Sequence, residues 1–196
     1  MRVTGGKLRG QQIIVPKKSV RPISDRVRAA VFSSVLEVIP GALVLDVFAG
    51  SGALGFEALS RGAAFICWVE ADSKVVAVLR KNVTRLCSKE NISVNVDMTG
   101  KPISPTKVVK DDAIRFLQCR TFHQPFDIMF ADPPYGQAGY WLKKLLPAVS
   151  SGFILKHDGL FIFEQDKRTP LDSVEGWLLL KTRVYGETQV SFWKQE

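Results

Sequence analysis

From residue 42 onwards the sequence alternates between short, uninterrupted apolar segments and longer amphipathic ones, and this alternation restricts the fold more than any other feature. Apolar segments of this length indicate strands that are buried on both faces, and the amphipathic segments between them indicate helices. The pattern is typical of a parallel sheet that is covered by helices on both sides. The predicted strands are 42–47, 65–70, 107–110, 126–131 and 160–163, and the predicted helices are 53–61, 73–86, 113–118 and 140–149.

The last part of the chain departs from this pattern. Segments 177–185 and 188–193 are separated only by Gly186-Glu187, which is typical of an antiparallel hairpin. We therefore predict an α/β fold with a mostly parallel, seven-stranded sheet that a C-terminal antiparallel hairpin closes. Residues 41–196 are predicted to form one compact unit. A polar stretch from Ser88 to Thr106 interrupts the alternation, and we expect a loop with room for a short strand there.

Residues 1–40 are predicted to form a short basic N-terminal hairpin or arm and a first helix. They contain eight Lys or Arg residues against two acidic ones, so most of the net charge of +8 lies here. The helix is indicated by a stripe of Val27, Val31, Val35 and Val38 that runs up to Pro40. A cationic block attracts polyanions such as nucleic acids, although a solvated basic terminus is an equally open interpretation. The residues predicted to contact a nucleic acid are Lys7, Arg9, Arg21, Arg26 and Arg28.

A glycine-rich loop follows the first predicted strand, where a sheet of this kind binds its ligands. Gly50, Gly52 and Gly55 satisfy the pattern G-x-G-x-x-G, so a dinucleotide-dependent oxidoreductase has to be considered. Asp46 argues for a different cofactor, because a carboxylate just before the loop repels a pyrophosphate and suits a cationic amino-acid group. S-adenosylmethionine has an ammonium group, a sulfonium group and no phosphate.

Two further carboxylates follow neighbouring strands. Glu70 ends the second strand, where it can accept hydrogen bonds from both hydroxyls of a ribose. Asp112 follows the third strand and can accept a hydrogen bond from an adenine amine, or it can cap the helix that begins at Ala113. Both interpretations of Asp112 stay open.

Asp132-Pro133-Pro134-Tyr135 follows the apolar strand 126–131 and is the predicted catalytic loop. Pro133 favours an extended conformation of Asp132, and the two proline rings stiffen the loop. The Asp132 carboxylate and a loop carbonyl can accept the two N–H groups of an exocyclic amine, and Tyr135 offers a flat face on which a base can stack. Methyl transfer from a sulfonium requires mainly alignment of the two reactants, and no protein nucleophile.

These motifs resemble the amino-group methyltransferases of DNA and RNA, and the chain as a whole resembles the RsmD-type bacterial 16S rRNA guanine-N2 methyltransferases. The resemblance extends over nearly the whole chain, and it implies a Rossmann-like class I methyltransferase fold, S-adenosylmethionine as cofactor and a guanine of small-subunit rRNA as substrate. Residues 91–106 look longer than the family usually has at this place. The segments that carry the resemblance are 5–10, 21–28, 46–55, 57–63, 132–135 and 184–186. The implied cofactor site comprises Asp46, Phe48, Ala49, Gly50, Ser51, Gly52, Glu70, Ala71, Asp112 and Ala113.

Other classes of protein fit the sequence less well. A DNA adenine-N6 methyltransferase shares the catalytic tetrad, but it generally needs a target-recognition region that we do not find. A non-catalytic RNA-binding assembly factor would not need the complete set of site residues. Three widely spaced cysteines favour a cytoplasmic protein without disulfides or a zinc site, and no apolar run is long enough for a membrane span. We expect a monomer that acts on 16S rRNA within the small ribosomal subunit or its assembly intermediate.

Overall fold

Strands and helices alternate through most of the chain in the computed structural model, which describes residues 1–16, 24–87, 95–96, 102–119, 124–134 and 138–196. The helices within these residues are α1 (Asp25–Ser33), α2 (Ala53–Ser60), α3 (Ser73–Cys87), α4 (Ala113–Cys119) and α5 (Ala138–Ser151). The strands are β1 (Leu43–Val47), β2 (Phe65–Glu70), β3 (Asn95–Val96), β4 (Pro102–Ile103), β5 (Thr106–Lys110), β6 (Phe126–Ala131), β7 (Leu155–Asp166), β8 (Trp177–Tyr185) and β9 (Thr188–Gln195).

Seven strands form one sheet in the order β5–β2–β1–β6–β7–β9–β8, which confirms the predicted fold class. The first five strands in this order run parallel to one another. Strand β9 runs antiparallel to both of its neighbours, β7 and β8. The two remaining strands, β3 and β4, pair with each other within the predicted loop. The loop therefore holds a short two-stranded element.

The order of the strands reverses between β1 and β6. The chain moves from β1 outwards to β2 and β5, and it then returns to place β6 on the other side of β1. Val47 and Ala131, the last residues of these two strands, are paired in register. The glycine-rich loop and the Asp132 loop therefore leave the sheet side by side, at the position where α/β proteins bind their ligands.

Each face of the sheet carries its own apolar cluster. One cluster packs α1 and α2 against the face that includes Val44, Phe130 and Ile162. The other packs α4 and α5 against the face that includes Leu45, Met129 and Phe163. This alternation along each strand is what a sheet buried on both faces requires.

The N-terminal arm, residues 1–16, is anchored to the first of these clusters. Val3, Leu8 and Ile13 are buried in it, and an antiparallel bridge joins Arg2 to Gln12. The Lys7 N–H donates to the carbonyl of Ser60, at the end of α2. The arm therefore packs against the same side of the sheet as α1 and α2.

The predicted first helix is wrong at its C-terminal end. Helix α1 ends at Ser33, and residues 34–38 continue as turns. Val35 is still buried, but Val38 is 54% exposed and Ile39 takes its place in the core. The valine spacing thus follows a helix for only part of its length. Among the described residues, no helix combines the length and apolar character that a membrane span requires.

Candidate active site

The loop between β1 and α2 turns sharply around Gly52. This residue has a φ of 85°, and a Cβ added to it would lie 2.4 Å from Cδ1 of Leu79, so no side chain fits there. The Gly52 N–H donates to the carbonyl of Ala49 at 2.7 Å, and the Gly50 N–H donates to Oε2 of Glu70 at 3.0 Å. The glycine loop is therefore held partly by the carboxylate that ends the neighbouring strand.

Asp46 lies beneath this loop and is 1% exposed. Its Oδ2 accepts a hydrogen bond from the Gly55 N–H at 3.1 Å, in the first turn of α2. Burial raises the pKa of the Asp46 carboxyl, and the nearby charges of Asp132 and Glu70 raise it further. Asp46 thus fixes the loop from below, and its contact with a cofactor ammonium group stays a prediction.

The carboxyl ends of β2 and β5 carry the predicted adenosine-binding residues. Glu70 is half-buried and its Oε1 accepts from the Asp72 N–H at 2.9 Å. Asp112 is exposed, and its Oδ1 accepts from the N–H groups of Ile114 and Arg115, both at 3.0 Å. Asp112 therefore caps α4, as one of the two interpretations predicted. Its contact with an adenine amine stays a prediction. Of the two flanking alanines, Ala71 is exposed and Ala113 is buried.

An aromatic pair stands beside the glycine loop. Phe48 has a φ of 59° and is partly exposed, and its ring centroid lies 4.9 Å from that of Trp141 in α5. Ser51 and Ala49, the other predicted loop residues, are buried. The pair supplies an apolar wall next to the polar edge formed by the carboxylates.

Asp132 follows β6 directly and lies next to the glycine loop. Its side chain is half-buried, Pro133 is buried and Pro134 is exposed. Burial raises the pKa of the Asp132 carboxyl to about 7. Tyr135, the fourth residue of the predicted tetrad, lies outside the described residues.

Two buried polar residues at the site were missed by the sequence analysis. Glu164 lies near the end of β7, where burial raises the pKa of its carboxyl, the charge of Asp132 raises it further and that of Arg28 lowers it. Asn82, in α3, donates from Nδ2 to the carbonyls of Ser51 and Ile14 at 3.0 and 2.9 Å. Asn82 thereby joins the glycine loop to the N-terminal arm. Its position among the apolar residues of α3 was a detectable signal, because a polar residue on a buried stripe needs a partner.

The prediction that Arg28 contacts a nucleic acid is wrong. Its side chain is 0% exposed, and it forms ion pairs with Asp25 at 2.8 Å and with Glu57 at 3.3 Å. It also donates to the carbonyl of Arg2. These partners lie in three segments of the chain, so Arg28 connects the arm, α1 and α2.

The other predicted basic residues fall into two groups. Lys7 and Arg9 are exposed at the end of α2 that is remote from the glycine loop, whereas Arg26 is exposed in the first turn of α1. Eight residues of helix separate the two ends of α2, which corresponds to about 12 Å. Arg21 lies outside the described residues.

These residues fit a cofactor that is cationic and rich in hydroxyl groups. The face of the loop at Gly50 is open, because a Cβ added there would meet only the Phe48 carbonyl, at 3.9 Å. Glu70 contacts this opening through the Gly50 N–H, and Asp112 and Asp132 follow the carboxyl ends of β5 and β6 at the same edge of the sheet. Such a set disfavours a pyrophosphate and favours the ammonium, sulfonium and ribose groups of S-adenosylmethionine.

The strand order, with loops at the carboxyl ends of β1 and β6, defines a class I methyltransferase fold. The solved structure of yhhF, a candidate methyltransferase from Escherichia coli, has this fold with a TM-score of 0.81 and 32% identity. That alignment covers 100% of this chain and 98% of the other. Ribosomal RNA small subunit methyltransferase D from Escherichia coli is 32% identical over 100% of this chain and 90% of its own. The Haemophilus influenzae protein of the same name is 31% identical over 95% and 89%.

The family model described as Conserved hypothetical protein 95 matches residues 1–194. The chain therefore belongs to this family, which is the RsmD-type methyltransferase family that its motifs predicted.

Proposed function

We propose that this protein transfers a methyl group from S-adenosylmethionine to the exocyclic N2 amine of one guanine in 16S rRNA. One observation carries the proposal: the Asp132 loop and the glycine loop leave adjacent strands, in a chain whose relatives are named ribosomal RNA small subunit methyltransferase D. The substrate is the rRNA within the small ribosomal subunit or its assembly intermediate, and the enzyme acts as a monomer.

The cofactor side of the site consists of the glycine loop and the carboxylates around it. When it is bound, S-adenosylmethionine supplies a methyl group on a sulfonium, so the leaving group is already activated. Residues 48–52 would enclose its amino-acid part, with Asp46 fixing the loop from below. Glu70 would accept hydrogen bonds from the ribose hydroxyls through lone pairs that the Gly50 and Asp72 N–H groups leave free. Asp112, with Ala71 and Ala113 beside the purine, would accept from the adenine amine.

The base side of the site is the Asp132 loop. The Asp132 carboxylate accepts one N–H of the guanine amine, and a backbone carbonyl of the loop accepts the other. These two bonds direct the nitrogen lone pair towards the methyl group, and the carboxylate favours the positive charge that develops on the nitrogen. Tyr135 stacks on the base. Asp132 then receives the proton that the amine loses.

Nucleoside analysis tests this function directly. The protein is incubated with labelled S-adenosylmethionine and, separately, with unmethylated small subunits, naked rRNA and DNA. Label in N2-methylguanosine from rRNA is the expected result. Label in N6-methyladenine from DNA would contradict the substrate, and binding of S-adenosylmethionine without transfer to any of the three would contradict the activity.

Replacing Asp132 tests the catalytic loop. We expect Asp132→Asn to lower kcat for methyl transfer by about 100-fold or more, since the amide oxygen can still accept an N–H but lacks the negative charge that favours the developing cation and receives the proton. Cofactor affinity should stay within about threefold, because the proposed partner of Asp132 is the base. Asp127→Asn is the matched control, since Asp127 is the second residue of the same strand, at its opposite end, and pairs with Lys156. Near-normal turnover of Asp132→Asn would exclude this role.

A further inference from the structure

Glu164 and Asp132 are neighbours at the same edge of the sheet. Strands β6 and β7 pair in register through Phe130 with Ile162 and Ala131 with Phe163. Asp132 follows β6 directly, and Glu164 is the next residue of β7. Because side chains alternate along a strand, both share the face of Phe130 and Ile162. Adjacent strands lie about 4.8 Å apart, so the two carboxyl groups are close enough to accept hydrogen bonds from two donors of one small ligand.

Glu164 is buried without a full set of hydrogen bonds. Its side chain is 5% exposed, and within the described residues its Oε2 has no hydrogen-bond partner. The charge of Asp132 acts on it unfavourably, and that of the fully buried Arg28 acts on it favourably. A buried carboxylate without hydrogen-bond partners destabilises the free protein, so its presence in a native structure needs an explanation. The simplest explanation is that a ligand supplies the missing hydrogen-bond donor.

A guanine base supplies such a donor in the right place. Its Watson–Crick edge presents the N1–H directly beside the N2 amine, whereas adenine has an unprotonated, acceptor N1 beside its amine. A carboxylate next to the one that holds the amine therefore attracts guanine and repels adenine. RNA enzymes commonly read this edge on bases that have left the stack.

We propose that Glu164 accepts a hydrogen bond from the N1–H of the target guanine, beside Asp132 on its N2 amine, and so selects guanine over adenine. This inference rests on the proposed function and adds to it the residue that determines the base. The buried Arg28 is the positioning residue that supports the charge of Glu164.

The first experiment compares Glu164→Gln with wild-type protein on unmethylated small subunits. Wild-type protein must first yield N2-methylguanosine; if it does not, the proposed function fails and Glu164 is not at issue. With that established, we expect Glu164→Gln to lower kcat/KM for guanine by about tenfold, because the amide oxygen can still accept the N1–H but without the charge of the carboxylate. We expect unchanged cofactor affinity and an equal or higher Tm, because the variant removes a buried carboxyl group whose Oε2 has no hydrogen-bond partner within the described residues. The control is again Asp127→Asn, which should keep wild-type kcat/KM.

The second experiment changes the base. Subunits are reconstituted with 2-aminopurine in place of the target guanine, which keeps the amine but has an acceptor at N1. The glutamine amide can donate to that N1, so Glu164→Gln should raise the ratio of 2-aminopurine to guanine methylation by at least about tenfold over wild type. Wild-type activity of the variant on guanine would overturn the proposal. An equal loss on both bases would also overturn it, since that result indicates a structural role.

Discussion

At the residue scale, the site is defined by carboxyl groups that the fold buries close to one another. Asp46, Asp132 and Glu164 lie on one face at the carboxyl ends of β1, β6 and β7, and burial raises the pKa of each. The charge of Arg28 lowers the pKa of Glu164 and so partly offsets the effect of burial. A site that must accept N–H groups needs these carboxyls ionised, so proton uptake competes with binding of the base.

This competition predicts an acid limb in the rate. As the pH falls through about 7 the Asp132 carboxyl binds a proton, and kcat/KM for methyl transfer should fall with it. A raised native pKa also means that Asp132 favours folding fully below pH 3.8 and that this contribution is lost as the pH rises through about 7. Asp132→Asn should therefore gain stability over wild type at pH 8.5 more than at pH 5.5. A pH–rate profile and thermal denaturation measure the two effects, and an acid limb near pH 4 would contradict the assignment.

At the scale of elements, a buried network around Glu57 joins the arm to the two helices on one face. Glu57 is 0% exposed and accepts from the Thr4 N–H at 2.7 Å and from Nε of Arg28 at 3.3 Å. Arg61, at the C-terminal cap of α2, is its third partner. Two arginines and the Thr4 N–H thus share the charge of one carboxylate in the core, and the loss of either arginine leaves it with a single cationic partner within the described residues.

Two neighbouring arginines test this network. Arg28→Met removes the fully buried partner of Glu57, which keeps Arg61, and it also leaves the Arg2 carbonyl without this donor, so we expect the free energy of unfolding to fall by about 3–5 kcal/mol. Arg26→Met, two positions earlier on the exposed side of α1, should change it by less than about 0.5 kcal/mol. Urea denaturation of both variants makes the comparison. Similar values for the two would show that the buried pair contributes little.

Elements differ in how far their sequence predicts them. The bounds of β2 and β6 were predicted to the residue, because each is an apolar run that ends at a charged or turn residue. The end of α1 was not, since valines at helical spacing also occur in the turns that follow it. The burial of Arg28 depends on Glu57, 29 residues away, and no local pattern carries that information. Glu164 was missed because β7 was predicted to end at Phe163, before its last three residues.

At the scale of the whole molecule, the exposed basic residues predicted to bind RNA lie in two separate places within the part of the chain that the structure describes. Arg26 lies in the first turn of α1, which packs on the face that carries Asp132 and Glu164, and Lys7 with Arg9 lies at the far end of α2. An RNA that contacts both places therefore extends beyond the target base. This arrangement fits a folded RNA substrate better than a short single strand.

Charge reversal tests whether both places bind RNA. Each phosphate contact that is lost should reduce the slope of log K against log salt by about 0.7–0.9. We expect Arg26→Glu to reduce the slope by the amount that corresponds to about one phosphate contact. Lys7→Glu combined with Arg9→Glu should reduce it by the amount that corresponds to about two contacts. Lys107→Glu, on an exposed position of β5, is the control that should leave the slope unchanged. Filter binding across a salt series gives the slopes, and an unchanged slope at either place would remove that place from the interface.

The antiparallel strand β9 also bears on how the protein is made. It is translated after β7 and β8, yet it lies between them. Until residues 188–195 have left the ribosome, β7 has one open edge and β8 has no strand to pair with. Open edges of this kind recruit strands from other chains. A nascent chain that pauses just before Thr188 is therefore at its most aggregation-prone, with the strand that carries Glu164 exposed, and chaperones would be needed most at that moment.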